Sequence, residues 1–207
     1  MSHFKVSTRL ALGFGTLVLI GLAIALFAAL QLRTLAQELS LMASDRMVKV
    51  AYLTELKDNF NAGARAARNV VISGDPNVRT EERKKITDLR AANSQILARL
   101  DRMIVLPKGK EFLKMIEDNR GPYNAALDKV VALAEAGKRD EAAQTLFLEA
   151  RPLQNNVFRA TDEARGFQKQ LADELSAATG RDAAGATVVM AVLGVLMLLV
   201  GATVGWL

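Results

Sequence analysis

Eight polar side chains spread along the middle of this chain have the chemistry of an anion receptor: Asn61, Arg65, Arg68, Asn93, Arg120, Tyr123, Arg151 and Gln154. A guanidinium presents a planar fork of donors that matches a carboxylate in bidentate fashion, and it keeps its charge at any physiological pH. Asparagine, glutamine and tyrosine add neutral groups that orient what the arginines attract. Spacing matters more here than number. Asn61 lies 14 residues before Asp75, Asn93 14 after Arg79, Tyr123 14 before Gly137, and Gln154 14 after Asp140. At about 1.5 Å per helical residue, all four fall roughly 21 Å from one end of the fold. Arg65, Arg68, Arg90, Arg120 and Arg151 stand within about two turns of that layer. The pattern predicts a site for a small di- or tricarboxylate, or for the carboxylate end of an amino acid. The competing reading pairs single arginines with neighbours such as Asp58 or Glu149, or leaves them solvated on a helix flank.

Other chemistries lack their residues. The sequence has no cysteine and one histidine, His3, near its start. Haem or zinc ligation therefore lacks its usual ligands, and the Glu-x-x-His motifs of di-iron bundles are missing. No phosphate-cradling glycine loop and no G-x-S-x-G occurs. Acid pairs such as Glu81-Glu82 and Asp162-Glu163 are explained by caps and solvated faces, so no catalytic residue, metal site or cofactor is assigned. The net charge of +5 is too mild, and its basic residues too interspersed with acids, for a nucleic-acid partner.

The elements that must position the polar layer are helices. Leu53, Leu56, Phe60, Gly63, Ala67 and Val70 recur at the alternating three- and four-residue spacing of a bundle seam. Gly74-Asp75-Pro76 ends that helix, and Thr80 with Glu81-Glu82 is expected to cap the next. The second seam runs Ile86, Leu89, Asn93, Ile96, Leu100 and Met103, with Pro107-Lys108-Gly109 as the following turn. A third runs Phe112, Ile116, Asn119, Tyr123, Ala126, Val130 and Leu133, closed by Gly137, with Asp140 as the next cap. The fourth runs Leu146, Ala150, Leu153, Val157, Ala160, Ala164, Phe167, Leu171 and Leu175. Pro122 and Pro152 each remove a backbone donor and are expected to bend or divide their helices. Asn93 and Asn119 could also serve only to fix the register of the seam. Short turns make consecutive helices antiparallel. The fold class expected is all-α: an up-down-up-down four-helix bundle.

Two uncharged blocks flank it. Residues 10–32 and 183–207 each exceed the roughly 20 apolar residues that span a bilayer. They account for a positive mean hydropathy of +0.16 in a chain that is 24% charged. The first block is too long for the core of a cleaved signal peptide and lacks a clean cleavage site, so an uncleaved anchor is expected. Lys5 and Arg9 put the leader, residues 1–9, in the cytoplasm and residues 33–182 outside the membrane. The amphipathic pattern from Leu153 runs into the second block without a turn, predicting one helix that begins in water and ends in lipid. No basic flank follows Trp206-Leu207, so a further cytoplasmic portion is expected. The Gly21-x-x-x-Ala25 and Gly201-x-x-x-Gly205 pairs would allow close helix approach.

This organisation resembles the front end of bacterial methyl-accepting chemotaxis proteins. Arg120-x-x-Tyr123 followed by Leu127, Val130-Val131, Leu133-Ala134, Gly137 and Ala142 is similar to the four-helix-bundle sensor domain of that family. So is Arg65-Ala-Ala-Arg68 followed by Val70-Val71-Ile72 and a turn. The resemblance implies ligand contacts from the arginines of the first helix, often at a dimer interface, and from Pro152-Leu-Gln154 in the fourth. Aspartate-type receptors carry a further arginine where this chain has Asn59 and Asn61, a departure that counts against aspartate itself and leaves other organic acids open. The resemblance also implies a homodimer in the bacterial inner membrane with its sensor domain in the periplasm. Signalling would pass to a cytoplasmic kinase and adaptor by a small shift of the fourth helix. The sensor half of a membrane histidine kinase shares this architecture. A ligand-free, membrane-anchored dimerisation or protein-interaction bundle is the alternative of another class.

Overall fold

The computed structural model describes residues 6–206, so most of the expected leader lies outside the described residues. The described chain contains no strand. It is built from α1 (Val6–Leu41), a π-helical turn (Met42–Arg46), α2 (Met47–Ile72), α3 (Pro76–Met103) and α4 (Pro107–Glu135). A short α5 (Arg139–Thr145), a second π-helical turn (Leu146–Ala150) and α6 (Arg151–Trp206) complete it. The fold is the expected all-α four-helix bundle with long apolar helices at the two ends.

Two compact units divide the chain, Ser44–Ala172 and the pair of segments up to Ala43 and from Asp173. In the terminal unit, the most apolar windows of the two helices reach mean hydropathies of 2.4 and 2.5, so both are long and apolar enough to cross a membrane. Leu19, Leu26, Leu198 and Leu199 are exposed there, which is costly in water and costless among lipid tails. A methyl added at Gly21 would meet Met197 Cε at 3.8 Å, and one at Gly201 the Leu17 side chain at 3.9 Å. These contacts make the two helices antiparallel.

In the bundle unit, cross-ties fix the direction of each helix. Arg83 pairs with Glu135 at 3.2 Å and Arg90 with Asp128 at 2.8 Å. Asn69 donates to Glu82 at 2.9 Å, and Arg99 to Tyr52 at 3.3 Å. Partners rise in number on one helix as they fall on the next, so α2, α3 and α4 alternate in direction. All six expected seam residues of α2 are buried, and Ile96, Leu100, Ile116, Val130 and Val157 complete the core around them. Lys57 ties α2 to α6 through Asp162 at 2.6 Å.

Local details differ from the expected ones for physical reasons. Asp75, not Thr80, caps α3: its carboxylate accepts from the Asn77 N–H at 2.8 Å. Pro76 then takes the first helical position, where a missing N–H costs nothing. Thr80 instead donates to the Pro76 carbonyl at 2.9 Å. Pro107 opens α4 in the same way, so the turn is 104–106 and Gly109 belongs to the helix. Any side chain at Gly109 would come within 2.5 Å of Ile104 Cγ2, which is why glycine stands there. Lys138 precedes α5, leaving Asp140 and Glu141 in the first turn, where their charge favours the helix N-terminus. Gly137, at φ 78°, makes the expected stop.

Pro122 does not divide α4; it and Gly121 lie on the exposed face. Pro152 has a different setting, because the second π-turn immediately precedes it. There the Arg151 N–H reaches back five residues to the Leu146 carbonyl. A proline ring in a regular helix collides with the carbonyl four residues earlier, here that of Leu148, and the wider turn relieves that collision. Lower on α6 the buried stripe passes through Thr161, Ala164, Gln168 and Ala172, while Phe167 and Leu171 are only half-buried. A straight helix drifts relative to a strict seven-residue repeat, and the expected seam of Phe167, Leu171 and Leu175 missed that drift.

Candidate functional site

Tyr123 is the best-fixed polar group of the bundle interior. It is 2% exposed; its Oη donates to the Phe60 carbonyl at 3.0 Å, and the two rings meet edge to face at 5.9 Å. Burial pushes its phenol well above the ordinary range, opposed only in part by the nearby Arg90 charge. Tyr123 stays neutral at any physiological pH.

A cleft of about 230 Å³ opens on one side of Tyr123. Ala64 and Arg68 of α2, Tyr123 and Leu127 of α4, Leu146, Phe147 and Ala150 of the second π-turn, and Arg151 and Gln154 of α6 line it. Phe147, Ala150, Arg151 and Gln154 stand three and four residues apart, the spacing of one helix face, and so present a single wall. Among the described residues, neither the Arg68 nor the Arg151 guanidinium has an ion pair or hydrogen bond, and no acid lines the cleft. Glu149, adjacent in sequence, is held by Lys129 at 2.6 Å. Two cations facing one cleft without a counter-charge form an anion-attracting site.

On the other side of Tyr123, Asn93 is 3% exposed and its Oδ1 has no partner. It borders a cavity of about 10 Å³ shared with Asn59, Phe60, Arg90 and Asn124. That is close to the volume of a single water-sized sphere, which is too small for a solute.

The structure therefore sorts the eight candidates. Arg68, Tyr123, Arg151 and Gln154 meet in one cleft, and Asn93 shares only the separate small cavity with Tyr123. Asn61 and Arg65 are exposed and line neither space, and Arg120 donates to Ser94 Oγ at 3.1 Å on the α3–α4 face. Arg90 is engaged twice, with Asp128 and with the Asn124 carbonyl, each at 2.8 Å. Leu146 and Ala150 of the apolar wall were in the expected seam, but Phe147 was missed; its signal was the helical spacing that puts it on one face with Ala150, Arg151 and Gln154. A separate groove of about 280 Å³ in the terminal unit mixes apolar residues with Gln31 and three threonines, and its ionisable groups are Glu38 and Asp182, a sign unsuited to an anion.

The family described as a four helix bundle sensory module for signal transduction has a model that matches residues 3–182. No curated protein matches the chain. With 180 of 207 residues inside that match, the chain belongs to the four-helix-bundle sensory modules of methyl-accepting-chemotaxis-type signal transduction proteins.

Proposed function

We propose that this protein is the input region of a chemoreceptor and that a small carboxylate binds in the cleft between α2, α4 and the start of α6. The observation that carries the reading is the pair of unpartnered arginines, Arg68 and Arg151, facing a cleft without an acid. They stand on two different helices, α2 and α6. A bound carboxylate bridging them favours one relative placement of those helices, and only such a differential contact lets occupancy shift a conformational equilibrium. Axial helix shifts of about 1–2 Å are a known size for such a switch. Because α6 is a single helix from Arg151 to Trp206, its displacement has a direct covalent route into the apolar unit. On this reading the bundle lies in the periplasm, Lys5 and Arg9 hold the leader in the cytoplasm, and two copies pair in the inner membrane. Output goes to a cytoplasmic kinase and its adaptor.

The test is thermal unfolding of the full chain in lipid nanodiscs against a panel of mono-, di- and tricarboxylates and amino acids. A ligand that binds only the folded state at about 100 times its Kd adds about 2.7 kcal/mol of stability, a readily measured rise in Tm. If no carboxylate raises the Tm, the reading fails.

A further inference from the structure

We infer that the cleft selects a monocarboxylate with an apolar body, rather than an amino acid or a polycarboxylate; this rests on the reading of the cleft as a carboxylate site. Three features of the lining carry the inference. The first is charge. An α-ammonium group needs an acid or a set of carbonyl acceptors, and this cleft offers two guanidiniums and no carboxylate. The ammonium of an amino acid would be desolvated beside like charges.

The second is the number of donors. Tyr123 has already spent its hydroxyl proton on the Phe60 carbonyl. Arg68, Arg151 and Gln154 remain, and a carboxylate that bridges the two guanidiniums, as proposed above, takes up both charges of the cleft. The rest of the wall is Ala64, Leu127, Leu146, Phe147 and Ala150. With both guanidiniums bridged, a second or third carboxylate of the same ligand would lose water there and find no charged donor in return.

The third is size and surface. At about 230 Å³, the cleft is smaller than the roughly 300–1,000 Å³ of sites for drug-sized molecules. Phe147 is 57% exposed, an aromatic face beside the cleft that an apolar ligand body would cover. Benzoate and hexanoate have this chemistry: one charge, one end to bury and no ammonium.

The experiment is calorimetric titration of the full chain in nanodiscs with benzoate, hexanoate, glutamate, citrate and the uncharged isostere benzamide. Benzoate or hexanoate is expected to bind at least about tenfold more tightly than glutamate or citrate, with no heat from benzamide; about tenfold is the loss expected when one charge-assisted contact is removed. Arg68→Ala and Arg151→Ala should each weaken that binding by about tenfold or more. Phe147→Ala should weaken it by a smaller factor. Both arginines are exposed, and unchanged helical circular dichroism would show that the variants still fold. Tighter binding of glutamate or citrate, abolished by Arg68→Ala, overturns the monocarboxylate inference but leaves the carboxylate reading standing. Monocarboxylate binding that ignores both arginine variants places the site elsewhere and overturns the inference. If none of the four acids binds, both fall.

Discussion

Tyr123 of α4 hangs from the backbone of α2: its hydroxyl donates to the Phe60 carbonyl at 3.0 Å, while its ring meets the Phe60 ring edge-on. One residue thus ties two diagonal helices through a hydrogen bond and an aromatic contact. Tyr123→Phe keeps the ring and removes the bond, and should cost about 1 kcal/mol, read as a lower Tm. The pH dependence has a definite sign. The folded phenol titrates above the ordinary tyrosine value of 10.0, so below about pH 10 it is protonated in both states and stability does not depend on it. Above that pH the unfolded chain releases a proton that the folded chain retains, and stability falls as pH rises. Tyr123→Phe should lose part of this alkaline decline, and an undiminished decline would assign it to other groups.

The arginines are expected to separate by partner. Arg120 is occupied by Ser94, and Arg65 is exposed and lines neither the cleft nor the small cavity beside Tyr123. Arg65→Ala and Arg120→Ala should therefore leave the affinity for a bound carboxylate within about twofold, against about tenfold or more for Arg68→Ala. Calorimetry on the four proteins reads this directly.

Lys49 is 4% exposed and pairs with Asp45, its partner four residues back in the first π-turn, at 2.7 Å. Asp45→Ala would leave a buried ammonium without its counter-charge and should destabilise the bundle by about 3 kcal/mol. Replacing the cation as well, in Asp45→Ala/Lys49→Met, should recover most of that loss. Urea unfolding of both variants checks the pair; equal losses would show that Lys49 needs no counter-charge.

Two glycines make opposite demands. Gly109→Ala pushes a methyl against Ile104 Cγ2 and should cost about 1–3 kcal/mol through overpacking. Gly137 has open space around it but φ 78°, so Gly137→Ala should cost about 1–2 kcal/mol through backbone strain alone. Gly137→Asn should cost less than Gly137→Ala, because asparagine tolerates that conformation. No such rescue is expected at Gly109, where Gly109→Asn should be worse than Gly109→Ala.

What could be read from the sequence follows from the range of each interaction. The seam of α2, from Leu53 to Val70, was legible because burial of one helix face repeats at fixed spacing. The shared height of Tyr123 and Gln154 followed from counting residues away from the turns. Caps were harder: Thr80 and Asp75 are both good cap residues, and the contest was decided by Pro76, whose fixed φ and missing N–H suit the first helical position best. Phe147 stands one residue beyond the buried seam at Leu146 and is exposed, so a search for buried periodicity passed over it. The division of the arginines was illegible for a different reason. Arg68, Arg90 and Arg120 look alike in sequence, and only the neighbouring helix decides that Arg90 meets Asp128 while Arg68 meets a cleft.

The second π-turn also leaves a mark that can be read without any structure. Between the Leu146 carbonyl and the Arg151 N–H it holds one residue more than an ordinary helical turn. A relative that keeps the same bundle but lays this helix down regularly must be one residue shorter between its counterparts of Gly137 and Pro152. A single-residue gap at that place in an alignment would therefore sort the family into members that carry this wider turn beside the cleft and members that do not.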